Sequence, residues 1–231
     1  MALRTVFLDA GGVLLFPNWT KVSESLSQQG VVVSAATLAQ AEPIAKKQID
    51  DRSTIAATND ARRGWMYFNL VLTAAGVALS DATDAALTEL HEYHRDRNLW
   101  EYVPDGVIPA LEALNRLGLR MTVVSNANGT LCDHMDRLGL SRYVHCILDS
   151  CDLGVEKPDP RLFEIALERS SADAATTIHV GDLYQVDVVG ARAAGIRGVL
   201  LDENGLYDGV DCPRVQSLAE LVARIEQGEF G

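Results

Sequence analysis

Residues 5–8, Thr-Val-Phe-Leu, are a run of strand formers that stops abruptly on Asp9, and Gly11 and Gly12 follow. A short apolar run bounded by glycine predicts a buried strand with Asp9 at its carboxyl end. From Asn18 to about Trp100 the apolar spacing turns helical and no strand is predicted. Ser34 is placed to cap a helix carrying Leu38, Ala41 and Ala45 on one face, and Pro43 predicts an interruption or kink in it. A second helix is predicted over 61–75, with Trp65, Phe68 and Leu72 in its apolar stripe and Gly76 to end it. A third starts at Ser80 or Asp81, carries Ala85, Leu87, Leu90 and His94, and ends before Pro104.

Beyond Pro104 the pattern alternates. Asp105 can cap a helix running to Leu117, and Gly118 closes it. Strands are predicted at 119–124, 143–148, 176–180 and 198–201, with helices at about 130–138, 160–167, up to Ala194, and 217–228. Strands alternating with helices predict a parallel sheet covered on both faces. One strand precedes the helical stretch and the others follow it. The predicted fold is therefore α/β, a Rossmann-like core of residues 1–16 and 104–231 with an all-helical cap, 17–103, inserted after the first strand.

Composition narrows the function classes. A chain of 231 residues, 48% hydrophobic and 23% charged, has the make-up of a soluble globular protein. Its formal net charge of −12 argues against nucleic acid or an anionic membrane as the main partner. An anionic substrate would need a locally positive pocket. No apolar run reaches membrane-spanning length and no signal peptide is evident, so the expected location is cytoplasmic. Cys132, Cys146, Cys151 and Cys212 lack C-x-x-C spacing and are expected as free thiols. The sequons at Asn18 and Asn128 are chance matches without a secretory signal. His91 and His94 are one residue short of a metal-binding H-E-x-x-H and read as a solvated face. The basic residues Lys46, Lys47, Arg62 and Arg63 are likewise expected on a solvated face. Oligomeric state has no signature.

Four strand ends carry polar groups: Asp9; Ser125 with Asn126; Lys157, on the loop after the third strand; and Asp182 with Asp187. In a parallel sheet these ends share one edge. Carboxylates, a hydroxyl and a lysine together describe a hard-cation site beside a phosphate site, for which oxygen ligands suit Mg2+ and lysine supplies a compact positive charge.

At this point the chain resembles the haloacid dehalogenase-like hydrolase superfamily, in particular its phosphatase branch with a helical cap. Asp9-Ala10-Gly11-Gly12-Val13-Leu14 is similar to its first motif, Ser125 to its second and Gly154-Val155-Glu156-Lys157-Pro158 to its third. Gly181-Asp182-Leu183-Tyr184-Gln185-Val186-Asp187, running into Gly190–Gly195, is similar to its fourth. The resemblance implies a Mg2+-dependent hydrolase acting on a small phosphorylated or otherwise anionic substrate through an aspartyl-phosphate at Asp9. It implies that Asp9, the Gly11 carbonyl and Asp182 hold the metal, and that Asp187 ligates through water or orients the lysine. Ser125 and the Asn126 backbone N–H would bind phosphoryl oxygens, and Lys157 would offset charge on nucleophile and phosphoryl group.

One position departs from the motif. The resemblance implies a second Asp at position 11, which protonates the leaving group and then activates water, and this chain has Gly11. A backbone carbonyl survives that change. A lost general acid typically costs on the order of 10²–10⁴ in rate, and less when the leaving group departs without a proton. Asp51, Glu101 and Asp105 are candidates for a substitute acid. The alternatives are a catalytically weak phosphate-binding or regulatory protein, and a phosphonate-cleaving hydrolase with Lys46 or Lys47 as its Schiff-base lysine. The metal-free dehalogenase branch has Tyr at position 11 and is disfavoured by Gly181-Asp182.

Overall fold

The computed structural model describes residues 2–230. In chain order, β1 (Thr5–Leu8) is followed by α1 (Trp19–Gln28), α2 (Ala35–Ile49), α3 (Arg52–Ala57), α4 (Asp60–Ala74) and α5 (Asp81–Arg97). Then come α6 (Val107–Arg116), β2 (Arg120–Ser125), α7 (Leu131–Arg137), β3 (Cys146–Asp149), α8 (Ser150–Leu153), α9 (Pro160–Arg169) and β4 (Thr177–Gly181). One π-helical turn (Tyr184–Val188) leads into α10 (Val189–Ala193), β5 (Arg197–Leu201), β6 (Arg214–Val215) and α11 (Leu218–Glu226). The chain divides into two units, one made of the residues up to Phe16 and from Val103 onward, the other of Pro17–Tyr102.

The first unit is an α/β sandwich. Its six strands are all parallel, in the order β3-β2-β1-β4-β5-β6. β1 lies in the middle and every one of its residues is buried, which is why its apolar run does not alternate. On one face Phe7, Val124 and Leu148 pack against Leu162, Phe163 and Ala166 of α9 and Ala191 of α10. Asp159 caps α9 by accepting the Arg161 N–H (3.0 Å), with Pro160 in the first turn, where its missing N–H costs nothing. β6, two residues long, was not predicted, because so short a strand carries no periodicity.

The second unit is helical, and four expectations change there. Pro43 lies inside α2 without interrupting it. One lost backbone hydrogen bond is outweighed by Ser34, which caps the helix, and by the burial of Leu38, Ala41, Ala45 and Ile49. The buried face of α4 is Tyr67, Val71 and Leu72 with Arg63, while Trp65 stays 37% exposed and stacks on His91 (ring centroids 4.5 Å apart). Ala85 of α5 is exposed and Ala86 takes its place in the core. Arg63, expected in water, is buried and donates to the Thr58 carbonyl at 2.8 Å.

Glu42 organises this unit's polar interior. Its carboxylate accepts from Trp19 Nε1 (3.1 Å) and the Tyr67 hydroxyl (2.7 Å) and pairs with Lys46 at 3.0 Å. All four cysteines are free, and among the described residues no helix is long and apolar enough to cross a membrane.

In the α/β unit, Gly198 of β5 has no room for a side chain: a Cβ there would lie 2.8 Å from the Val188 Cα. Gly198→Ala is therefore expected to destabilise the protein by about 1–3 kcal/mol, read as a lower urea midpoint with an unchanged m-value.

Candidate active site

The strand order reverses direction between β1 and β4, the switch point at which open α/β sheets bind ligands. Asp9 leaves β1 there, its N–H donating to the Val180 carbonyl of β4 at 2.9 Å. Asp182 directly follows β4. After Asp9 the chain doubles back: the N–H groups of Leu14 and Leu15 both donate to the Ala10 carbonyl, at 2.9 and 2.8 Å. Gly12 takes φ +72° in this turn, a conformation side chains oppose. Gly11 lies in the same turn, half-buried.

Lys157 reaches this point wholly out of water. Its ammonium donates to Asp187 Oδ1 at 2.7 Å and pairs with Asp9 Oδ1 at 3.0 Å. Asp9 Oδ1 also accepts the Ala10 N–H at 2.7 Å. Asp187 is more fully engaged: Oδ1 meets His179 Nε2 at 3.0 Å, and Oδ2 accepts the Leu183 N–H at 3.0 Å. Asp9, Asp182 and Asp187 each offer a carboxylate oxygen within 4.8 Å of the others, an all-oxygen donor set of the kind Mg2+ prefers.

Local sequence explains the approach. A Cβ on Gly181 would fall 2.1 Å from the Asp187 Cγ, so only glycine admits that carboxylate. The π-helical turn over Tyr184–Val188 supplies the wide bend that brings Asp187 back over the strand it follows. Gly190, one turn later, lets α10 pack 2.9 Å from the Pro158 Cα, measured to where its Cβ would be. The loop carrying Lys157 is clamped to β2. The Asn126 side chain accepts the Lys157 N–H at 2.7 Å and donates to the Lys157 carbonyl at 3.0 Å. Asp149 holds the neighbouring loop by accepting from the N–H groups of Gly129 (2.8 Å), Leu131 (3.2 Å) and Cys151 (2.9 Å), and Ser150 Oγ accepts from Ala127 (3.1 Å).

Burial dominates the electrostatics. It pushes Asp9 up to about 7, with Asp187 and Asp182 adding to the rise and Lys157 and a Ser125 hydrogen bond opposing it. Asp187 is also fully buried, yet Lys157 and His179 together hold it below the usual carboxylate range. The two carboxylates hold Lys157 above the usual lysine range against its own burial. Burial keeps His179 below the ordinary histidine value, against the hydrogen bond and charge of Asp187.

Asp9, Lys157, Asp182 and Asp187 thus converge, Ser125 tempers the rise of Asp9, and the Asn126 side chain grips the Lys157 backbone. Three further residues of this shell carry no prediction: His179, Asp149 and Ser150. The signal for His179 was a polar residue inside a buried apolar strand, and for Asp149 a carboxylate ending a strand as Asp9 does. Of the three candidate substitute acids, Asp51 and Glu101 belong to the helical unit and Asp105 to the α/β unit. Asp51 caps α3, and a hydrogen bond from the Ser53 hydroxyl lowers its pKa. Glu101 accepts from Asn18 (2.8 Å) and Tyr93 (2.9 Å).

The model of the haloacid dehalogenase-like hydrolases matches residues 3–195. The chain belongs to that family. Among curated relatives, haloacid dehalogenase-like hydrolase domain-containing protein 3 of Danio rerio is 39% identical over 131 residues, covering 55% of this chain and 54% of that protein. A phosphoserine phosphatase of Thermus thermophilus is 33% identical over 136 residues, covering 58% and 53%. The chain thus spans about half the length of these relatives. The fold matches that of the magnesium-bound HAD-hydrolase YfnB of Bacillus subtilis with a TM-score of 0.71 at 18% identity, over 97% of this chain and 99% of that one.

The Asp9 shift has a testable sign. Folded Asp9 keeps its proton to about 7 while the unfolded chain releases it near 3.8, so Asp9 lowers stability progressively between those values and by a constant amount above them. In chelator-treated protein, wild type is expected to lose stability relative to Asp9→Asn as pH rises from 4 to 7, with no further change above, measured by urea unfolding.

Proposed function

We propose that this chain is a Mg2+-dependent phosphohydrolase that uses Asp9 as nucleophile on a small phosphorylated substrate. The observation that carries the reading is the buried Lys157 ammonium shared between Asp9 and Asp187, beside a third carboxylate from Asp182. The phosphoserine phosphatase relative supports the same substrate class.

The donor set fits the metal. Asp9, Asp182 and the Gly11 carbonyl would hold it directly. Asp187 has N–H donors on both oxygens and would reach it through water. Bound there, the ion would neutralise charge on the phosphoryl oxygens.

This chain's own residues do the rest. An Asp9 carboxylate oxygen attacks phosphorus, and the bond to the leaving oxygen breaks with its electron pair on that oxygen. The Ser125 hydroxyl and the Asn126 backbone N–H orient the non-bridging oxygens, and Lys157 offsets their charge. Water then attacks phosphorus, the bond to Asp9 breaks, inorganic phosphate leaves and the carboxylate is restored. Gly11 gives the leaving oxygen no proton, so the chemistry favours groups that depart as stable anions. Of the two lysines considered for a Schiff base, Lys46 is ion-paired with Glu42 at 3.0 Å, which holds an ammonium where an imine needs a free amine.

The test is hydrolysis of aryl and alkyl phosphates of graded leaving-group pKa, with and without Mg2+. Good leaving groups are expected to react on the order of 10²–10⁴ faster than alkyl phosphates, chelation should abolish turnover, and Asp9→Asn should abolish both turnover and beryllofluoride binding. Full activity in Asp9→Asn overturns the reading.

A further inference from the structure

His179 sits in the middle of β4, fully buried, level with Phe7 of β1 and Gly198 of β5. Residues two apart on a strand share a face, so His179 and Gly181 line the same side of the sheet. Two of these neighbouring positions are glycines whose missing side chains are filled from the same turn: Val188 over Gly198 and Asp187 over Gly181. The turn therefore comes down onto the sheet at the one place where a ring nitrogen waits for it. His179 Nε2 lies 3.0 Å from Asp187 Oδ1, the oxygen that also takes the Lys157 ammonium. The ring is held from the other side by Phe163, edge to face at 4.9 Å between centroids.

We propose that His179 is a positioning residue for catalysis, acting through Asp187 to fix where the Lys157 ammonium points. Resting on the phosphohydrolase reading for its catalytic consequence, the inference concerns three buried groups whose arrangement can be observed without turnover. An imidazole nitrogen at hydrogen-bond distance from a carboxylate oxygen carries the proton between them, so Nε2 donates to Asp187. Nδ1, also buried, has no hydrogen-bond partner among the described residues. Leaving a polar atom orphaned in the core is costly, and leucine or phenylalanine would fill the same apolar pocket without that cost. What the imidazole adds over them is the Nε2–H donor.

Its effect is directional. With Leu183 on Oδ2 and His179 and Lys157 on Oδ1, the Asp187 carboxylate cannot swing. Its claim on the ammonium is also moderated by the second donor on the same oxygen, leaving Lys157 poised to reach Asp9 at 3.0 Å. Without the His179 donor, Oδ1 is held by Lys157 alone, and the carboxylate, pinned only at Oδ2 by Leu183, draws the ammonium closer and away from Asp9. Outer hydrogen bonds of this kind typically change activity 10–100-fold.

The experiment compares wild type with His179→Leu, His179→Asn and His179→Gln. Leu has no donor, Asn is too short to reach Asp187, and Gln restores an N–H near the Nε2 position. Each is followed by aryl phosphate kinetics with Mg2+ and by the 15N signal of the buried Lys157 ammonium. In Leu and Asn, kcat is expected to fall roughly 10–100-fold with KM little changed, and the slowly exchanging ammonium signal to shift or vanish. Gln should recover both. If Leu does not fold, Asn and Gln carry the comparison. An unchanged ammonium signal and kcat in a folded Leu or Asn variant overturns the proposal, as does equal loss in Gln and Asn. If wild type has no turnover, the phosphohydrolase reading fails, and the ammonium signal alone decides for or against His179.

Discussion

One cation in a dry place holds together the carboxyl edge of the α/β unit's sheet. Lys157 has no contact with water, and its charge is tolerable only because Asp187 and Asp9 share it. Such an arrangement contributes little net stability when intact, but removing Asp187 leaves an uncompensated buried charge and costs about 3–5 kcal/mol. The three residues come from the loop after β3, the turn after β4 and the end of β1, so their mutual dependence ties three separate stretches of chain to one point.

Two kinds of backbone engineering serve that point. At the switch between β1 and β4 the sheet itself brings Asp9 and Asp182 together. Lys157 and Asp187 need more. Asn126 grips the Lys157 backbone through both its amide atoms, and the glycines at 181, 190 and 198 remove side chains wherever the π-helical turn, α10 or the Pro158 loop must come close.

Much of this was legible because the physics left strong marks. Apolar runs ending on Asp9, Ser125 and Gly181-Asp182 announce buried parallel strands with polar ends, and the alternation after Pro104 announces the sheet. What was not legible is whatever depends on contacts that the apolar pattern does not record. Arg63 looks solvated in sequence because its charge is visible and its bond to the Thr58 carbonyl is not. Trp65 looks like core because it is large, yet Tyr67 and Val71 occupy the inward face. Pro43 looks like a break because its local cost is known, whereas the packing of the helix around it is not. His179 and Asp149 carry only faint marks, a polar residue inside an apolar strand and a carboxylate ending one, because the partners that give them a role, the Asp187 carboxylate and the Gly129 and Leu131 N–H groups, are not part of the strand pattern.

The fit of Asp187 over Gly181 has a consequence for how this site can vary. The carboxylate carbon already stands where a methyl group would have been, and its two oxygens face three fixed donors from separate parts of the chain. A glutamate would keep the charge but bring one more methylene into space already filled. At this position length is as strict a requirement as ionisation, so the substitution that looks mildest on paper is one that geometry forbids.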